Sequence, residues 1–191
     1  MDKTMILNQA LDLLEHNGLS ADIYTLLSQQ AGVDKSQLGH YWQDNNALIY
    51  DCLAQHAAQI DEWHQQMLDN EALTPREKLL SRYDLLETRL EDKRFPGCLF
   101  MAACNTYPER THPLHQLAES QKHHAQHFAY TLLTQLGIDN PDSVARQLEL
   151  ILEGCLSQLL VKGDHGAITT AKTLSDDIVL IALCRKNGAL G

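Results

Sequence analysis

Apolar positions recur along this chain at helical spacing, and no stretch shows the strict alternation of a half-buried strand. Ile6, Leu7, Ala10, Leu11 and Leu14 form a first apolar face that stops at Gly18. Tyr24, Leu27 and Ala31 form a short second one, and Leu38 and Trp42, four apart, anchor a third helix over 34–42. A long fourth helix starts near Asp44 and carries Ile49, Cys52, Leu53, His56, Ile60, Trp63 and Met67 on one stripe. Thr74-Pro75-Arg76-Glu77 joins a cap, a first-turn proline and a capping-box glutamate, and so opens a fifth helix with Leu79, Leu80, Tyr83, Leu86 and Leu90. Phe95-Pro96-Gly97 breaks the pattern. CLFMAACNTY, flanked by Pro108 and Pro113, is then apolar nearly all round, which predicts burial in the middle of a larger domain. Further helices are expected from about Leu114 to Leu136, from Asn140-Pro141 to Gly163, and around Leu174, Ile178, Ile181 and Ala182. The chain is therefore all-α, with about nine helices: a small N-terminal three-helix module and a larger helical remainder. The last two helices carry more apolar surface than one core-facing stripe needs. A helix bundle between two copies would bury the excess better than several-sided burial within one subunit.

The segment AGVDKSQLGHYW, residues 31–42, is the most telling. Ala31 ends one helical pattern, and Gly32 supplies the left-handed backbone that closes a helix. Asp34 can cap the next helix, with Gln37 at capping-box spacing. Lys35, Ser36, Gln37, His40 and Tyr41 offer hydrogen-bonding groups, while Leu38 and Trp42 suit the core on the opposite side. Two helices joined by a tight glycine turn form a helix-turn-helix, whose second helix can enter a DNA major groove. Spacing alone also fits any αα-hairpin.

Length and composition frame this pattern. A chain of 191 residues with 44% apolar positions holds one sizeable domain, or a small one fused to a larger one. The formal charge of −10 is awkward for a DNA binder, because affinity for nucleic acid comes largely from neutralising phosphates. Near the N-terminus, Lys3 and Lys35 face Asp2, Glu15, Asp22, Asp34 and Asp44. A DNA-binding segment here must rely on a few placed groups, helix N-termini and dimeric avidity. The acidity argues against non-specific nucleic-acid coating and against anionic membranes. The five cysteines are scattered without a C-x-x-C pair, as expected of reduced, buried thiols in a cytoplasmic protein. The first residues are too polar for a signal peptide, and no apolar run reaches membrane-spanning length.

Other chemistry is weaker. His112, His115, His123, His124 and His127 cluster, and His123 and His127 have metal-competent i, i+4 spacing. Exposed or pocket-lining histidines explain the cluster more simply, and no metal, cofactor or catalytic group is expected. Cys98 and Cys104 could form a redox pair, although buried inert thiols are the better expectation. Glu149 and Glu153 could support acid–base work, but a solvated stripe or polar spots at a dimer seam cost less. No glycine-rich phosphate loop and no G-x-S-x-G elbow is present.

ILNQALDLLEHNG, LLSQQAGV and DKSQLGHYW together resemble the DNA-binding head of the TetR/AcrR family of one-component repressors. FPGCLFMAAC resembles that family's sixth helix and LELILEGCLSQLLV its dimer-forming eighth; THPLHQL adds a likeness to its YjdC-like branch. The resemblance spans nearly the whole chain and is most specific in the head. It implies a DNA-binding head at 1–46 and a ligand-binding and dimerisation domain at 47–191. It further implies a homodimeric repressor that docks residues 34–41 in a major groove of a near-palindromic double-stranded operator, and that an unknown small-molecule ligand releases. The DNA-contacting set it implies is Thr25, Asp34, Lys35, Ser36, Gln37, His40, Tyr41, Asn45 and Asn46, with Thr25 and Tyr41 on phosphates. Trp63, Tyr83, Phe100, Met101, Cys104, Tyr107, His124 and Phe128 would line the ligand pocket. Leu148, Ile151, Leu152, Cys155, Leu159, Ile178 and Ile181 would form the dimer interface. Three positions depart from the family's pattern: Gly39 in place of Tyr, Asn45 in place of Lys, and Ile23 in place of Thr. The first two losses remove contacts to the DNA backbone, so the alternative is a helical ligand-binding module with weakened DNA recognition.

Overall fold

The computed structural model describes residues 2–19, 22–30, 32–94, 97–186 and 188. Among them are nine α-helices: α1 Lys3–Asn17, α2 Ile23–Gln30, α3 Lys35–Tyr41, α4 Asn45–Asp69, α5 Pro75–Glu91, α6 Leu99–Thr106, α7 Pro113–Gln135, α8 Pro141–Lys162 and α9 His165–Lys186. The all-α reading therefore holds. The helix end expected at Ala31 and the break at Phe95-Pro96 lie outside the described residues. Local chemistry sets the boundaries. Asp2 caps α1 by accepting from the Met5 amide at 2.8 Å, and Gly18 closes the helix with φ 75°. Thr74 and Glu77 form the capping box expected from their spacing, with Pro75 in the first turn. Gly163, left-handed at φ 63°, ends α8.

The chain divides into two compact units: Met1–Ile60 with Cys98–Gln121, and Asp61–Gly97 with Lys122–Gly191. In the first, Ile6, Ala10 and Leu14 of α1 are buried with Ile23 and Leu27 of α2, Leu38 of α3, and Leu48, Ile49 and Leu53 of α4. Here α6 departs from the expectation that it would sit in the middle of the larger domain. It belongs to the unit that holds α1–α3, and only Leu99, Phe100 and Ala103 are buried; Met101 is 42% exposed. Eight residues give just over two turns, enough for one packing face, so an all-round apolar sequence leaves some of its surface in water.

In the second unit, Leu79, Phe128, Leu132, Leu133, Val144, Leu148 and Val179 form one core cluster. Tyr83, Cys155, Leu159, Ile168 and Ala171 form another. Polar groups are built into this interior. Arg82 and Glu149, both nearly fully buried, form an ion pair. Tyr83 Oη and Ser175 Oγ share a hydrogen bond of 2.6 Å, and Lys78 Nζ donates to the Leu68 carbonyl at 2.8 Å. Glu149 is thus buried and paired with Arg82 rather than solvated, and Glu153 pairs with Lys122 at 3.2 Å. His64 is buried and stacks on Phe128, ring centroids 4.3 Å apart. Burial, and then the nearby Arg82 charge, push its imidazole down to about 4.

The thiols are not uniformly buried. Cys52 and Cys155 are, and desolvation lifts them to about 12 and about 11, but Cys98 and Cys104 are half-buried and Cys184 is exposed. All five are free. No described helix is long and apolar enough to cross a membrane.

Two stability measurements follow. Arg82→Met leaves Glu149 buried without its partner and should cost about 3–5 kcal/mol by urea denaturation, while the double change Arg82→Met/Glu149→Leu should recover most of that. His64 is depressed in the fold, so its contribution is complete above the unfolded value of about 6.5 and is lost as pH falls toward its folded value. His64→Leu should therefore remove about 2 kcal/mol of the stability loss between pH 7 and pH 5.

Candidate nucleic-acid interface

The turn between α2 and α3 forms as its residues dictate. Gly32 takes φ 65°, a conformation that costs glycine little, and the Val33 amide donates back to the Leu27 carbonyl at 3.4 Å. Asp34 caps α3, and its carboxylate accepts from the Ser36 amide at 3.0 Å. Leu38 is fully buried and Trp42 is 3% exposed, so the back of α3 is fixed in the core. Lys35, Ser36, His40 and Tyr41 are exposed, and Gln37 is half-exposed beside them. One polar face is thereby presented to solvent on an immobilised back.

Hydrogen bonds tie that face to its surroundings. The Trp42 indole Nε1 donates to Asp51 at 2.9 Å; Lys3 Nζ meets the same carboxylate at 2.8 Å and lies 5.5 Å from the Trp42 ring centroid. These two donors hold the Asp51 carboxyl below its ordinary range against the opposing effect of burial. Tyr24 Oη donates to the Trp42 carbonyl at 2.6 Å, and Asn45 Oδ1 accepts from the Tyr24 amide at 3.4 Å. Asn45 therefore stitches α4 to α2, while Asn46 accepts from Tyr107 Oη at 2.7 Å. The Thr25 hydroxyl donates to Asp22 at 2.6 Å, which lowers the Asp22 carboxyl and commits the proton that a phosphate would need. Lys35 is the only lysine or arginine between residues 22 and 50.

The other expected sets are spread more widely. Trp63, His124 and Phe128 fall in the second unit, where Trp63 lies 5.9 Å from the Phe128 ring and His124 Nδ1 lies 2.9 Å from Asp61 Oδ2. Tyr83 is fully buried in the same unit. Phe100, Met101, Cys104 and Tyr107 belong to the first unit; Phe100 stacks on His56 with centroids 5.5 Å apart. Of the expected dimer residues, Leu148, Cys155 and Leu159 are buried within the chain's own core, Ile151, Leu152 and Ile178 are half-buried, and Ile181 is 44% exposed. Leu150, Leu160, Val161, Leu174 and Leu180 are the large apolar side chains that α8 and α9 leave exposed beside Ile181. The 3.6-residue period explains the difference, since the strongest stripe of a helix faces its own core. His123, His124 and His127 are exposed, and no three His, Cys, Asp or Glu side chains of the described residues are grouped as metal ligands. Reading the sequence overlooked the pair Glu15 and His56, both buried and 3.7 Å apart. A glutamate directly after Leu14 of the apolar face, and a histidine within the α4 stripe, were the available signals.

A helix-turn-helix with an exposed polar second helix, followed by a long connecting helix in an all-α chain, defines the class. The chain belongs to the family of the HTH-type transcriptional regulator YjdC, and its fold is that of solved TetR-family regulators. It is 42% identical over 190 residues, the whole length of both chains, to the HTH-type transcriptional regulator YjdC of Escherichia coli strain K12 and of Shigella flexneri. No protein-family profile matches it. Among solved structures, a TetR transcriptional regulator from Legionella pneumophila superposes with a TM-score of 0.82 at 17% identity, covering 93% of this chain and 97% of that one. A TetR-family regulator from Streptomyces coelicolor gives 0.78 at 17% identity, covering 95% and 93%. The reduced form of E. coli NemR gives 0.76 at 17% identity, covering 92% and 95%. At these identities the structures show a shared fold.

Gly39 has ordinary helical backbone, and a Cβ built on it meets nothing within 4 Å. Gly39→Ala should therefore raise the stability of the free protein by about 0.5–1 kcal/mol, read from its thermal midpoint, because only the helix-propensity difference is felt.

Proposed function

We propose that the protein is a homodimeric repressor, acting in the cytoplasm, that reads a near-palindromic operator with α3. The observation that carries this is the polar face of Lys35, Ser36, Gln37, His40 and Tyr41 held out by the buried Leu38 and Trp42. The DNA-binding segment is 1–46, with Gln37, His40 and Lys35 toward bases and Tyr41 toward the phosphate backbone. Asp34 and Ser36 order the first turn of α3. Asn45 and Asn46 stand where the amides of α4 face a phosphate. Thr25 would have to release Asp22 to join them. Residues 47–191 dimerise and hold the ligand. The exposed Leu150, Leu160, Val161, Leu174, Leu180 and Ile181 supply the apolar area for a second copy. A small ligand among the aromatic side chains around Trp63 and Phe128 would favour a state with weaker operator affinity.

One set of observations favours a second reading, in which DNA recognition is weak: the Asp22–Thr25 bond, the bare Gly39 and the shortage of cations. Incubation of the purified protein with a random-sequence duplex library, followed by sequencing of the bound fraction, separates the two. Enrichment of a two-fold symmetric site supports the repressor, and a bound pool as random as the input rejects it. On an enriched duplex, Tyr41→Ala should weaken binding across all sequences, whereas Gln37→Ala should alter the preferred base at one position of each half-site. If both variants bind with the parent's affinity and preference, the docking of α3 is wrong.

A further inference from the structure

The segment that follows α6 reaches back to the DNA-reading end of the molecule. Tyr107, just past the last turn of α6, donates its hydroxyl to Asn46 Oδ1 in the first turn of α4 at 2.7 Å. Its ring is held in turn. His112 stacks on it with centroids 4.4 Å apart and planes 13° from parallel. The Leu114 amide donates to His112 Nδ1 at 3.2 Å and so fixes the imidazole. The Tyr107 carbonyl lies 2.9 Å from His115 Nδ1. A tyrosine gripped on its face and its backbone is an oriented donor rather than a swinging one. Further along α4, Phe100 stacks on His56. Position 46 pairs with 107 and position 56 with 100, so α6 runs antiparallel beside the first half of α4 and touches it at two points. All these residues lie in the compact unit that contains α1–α3.

From Asn46 the hydrogen bonds continue toward α3. Its neighbour Asn45 accepts from the Tyr24 amide, and Tyr24 Oη donates to the carbonyl of Trp42, the residue that closes α3. We propose that Tyr107 is a positioning residue for operator binding: by holding Asn46 it keeps the first turn of α4, and through Asn45 and Tyr24 the end of α3, in the arrangement that meets DNA. In this assignment Tyr107 is not part of a ligand pocket, and the side-chain oxygen of Asn46 serves Tyr107 rather than DNA. The assignment rests on the operator-binding reading.

The test compares the full-length parent with Tyr107→Phe, Asn46→Ala and the double variant on the duplex that the parent enriches from the random library. Tyr107→Phe keeps the ring that His112 stacks on and deletes only the donor. Each single variant should bind the enriched duplex roughly three- to tenfold more weakly, the scale of one lost hydrogen bond. The double variant should be no worse than the weaker single, because both remove the same link. Amide exchange across residues 45–50 of the free protein should quicken in Tyr107→Phe while the thermal midpoint stays with the parent, which a general loss of packing would not allow. Unchanged affinity of Tyr107→Phe, or effects that multiply in the double variant, would overturn the assignment while leaving the repressor intact. A parent that enriches no duplex would overturn both.

Discussion

A helix of seven residues has no stability of its own in water, because the cost of nucleating it exceeds what so few backbone hydrogen bonds return. Everything that α3 could do therefore depends on the burial of Leu38 and Trp42. Their burial fixes the helix in the core, and the bonds from Trp42 to Asp51 of α4 and from Tyr24 of α2 to the Trp42 carbonyl tie down its end. Because position and rotation are both set from behind, the exposed side chains stand at defined places, with the His40 and Tyr41 rings edge-on at 5.3 Å. The polar face is a consequence of how its back is held.

Much of this was legible in the residues. Period and punctuation are local properties, so Gly18, Gly32, the Thr74–Glu77 box and Gly163 mark helix ends in the sequence as they do in the fold. The class was legible for the same reason: a glycine turn, a capped polar helix and two apolar anchors are a short-range pattern. What stayed hidden depends on which surfaces meet. Arg82 and Glu149 are 67 positions apart and look like ordinary surface charges until α5 and α8 are packed together. The apolar run of α6 reads as the centre of a domain, yet its short length gives it one buried side. The dimer residues chosen from the strongest stripe of α8 include Leu148, Cys155 and Leu159, which that stripe turns into the chain's own core. Nothing in a linear sequence relates Tyr107 to Asn46, 61 positions away.

Polar groups are placed differently in the two units, although the first also buries a titratable pair, Glu15 and His56, 3.7 Å apart. In the second, charged and hydroxyl groups are buried in pairs, Arg82 with Glu149 and Tyr83 with Ser175, so their desolvation is offset by direct partners. His64 lies 4.0 Å from Asp61, but burial and the Arg82 charge outweigh that carboxylate and keep the imidazole neutral among the aromatics. In the first unit a network nearer the surface runs through amides, phenols and a backbone carbonyl: Asn45 with Tyr24, Tyr24 with the Trp42 carbonyl, and Asn46 with Tyr107. Neutral donors and acceptors orient one another without strong dependence on pH or salt, which suits a set of contacts whose task is geometry.

The scarcity of positive charge around α3 has a consequence for where such molecules reside. Proteins rich in lysine and arginine displace many condensed cations from any duplex and so spend most of their time on random chromosomal sequence. With Lys35 alone between residues 22 and 50, and Lys3 already facing Asp51, little is gained by contact with an arbitrary stretch of DNA. Such a head would leave most copies unbound in solution, accessible to a diffusing small molecule, and would make occupancy of a site a matter of shape match more than of ionic strength.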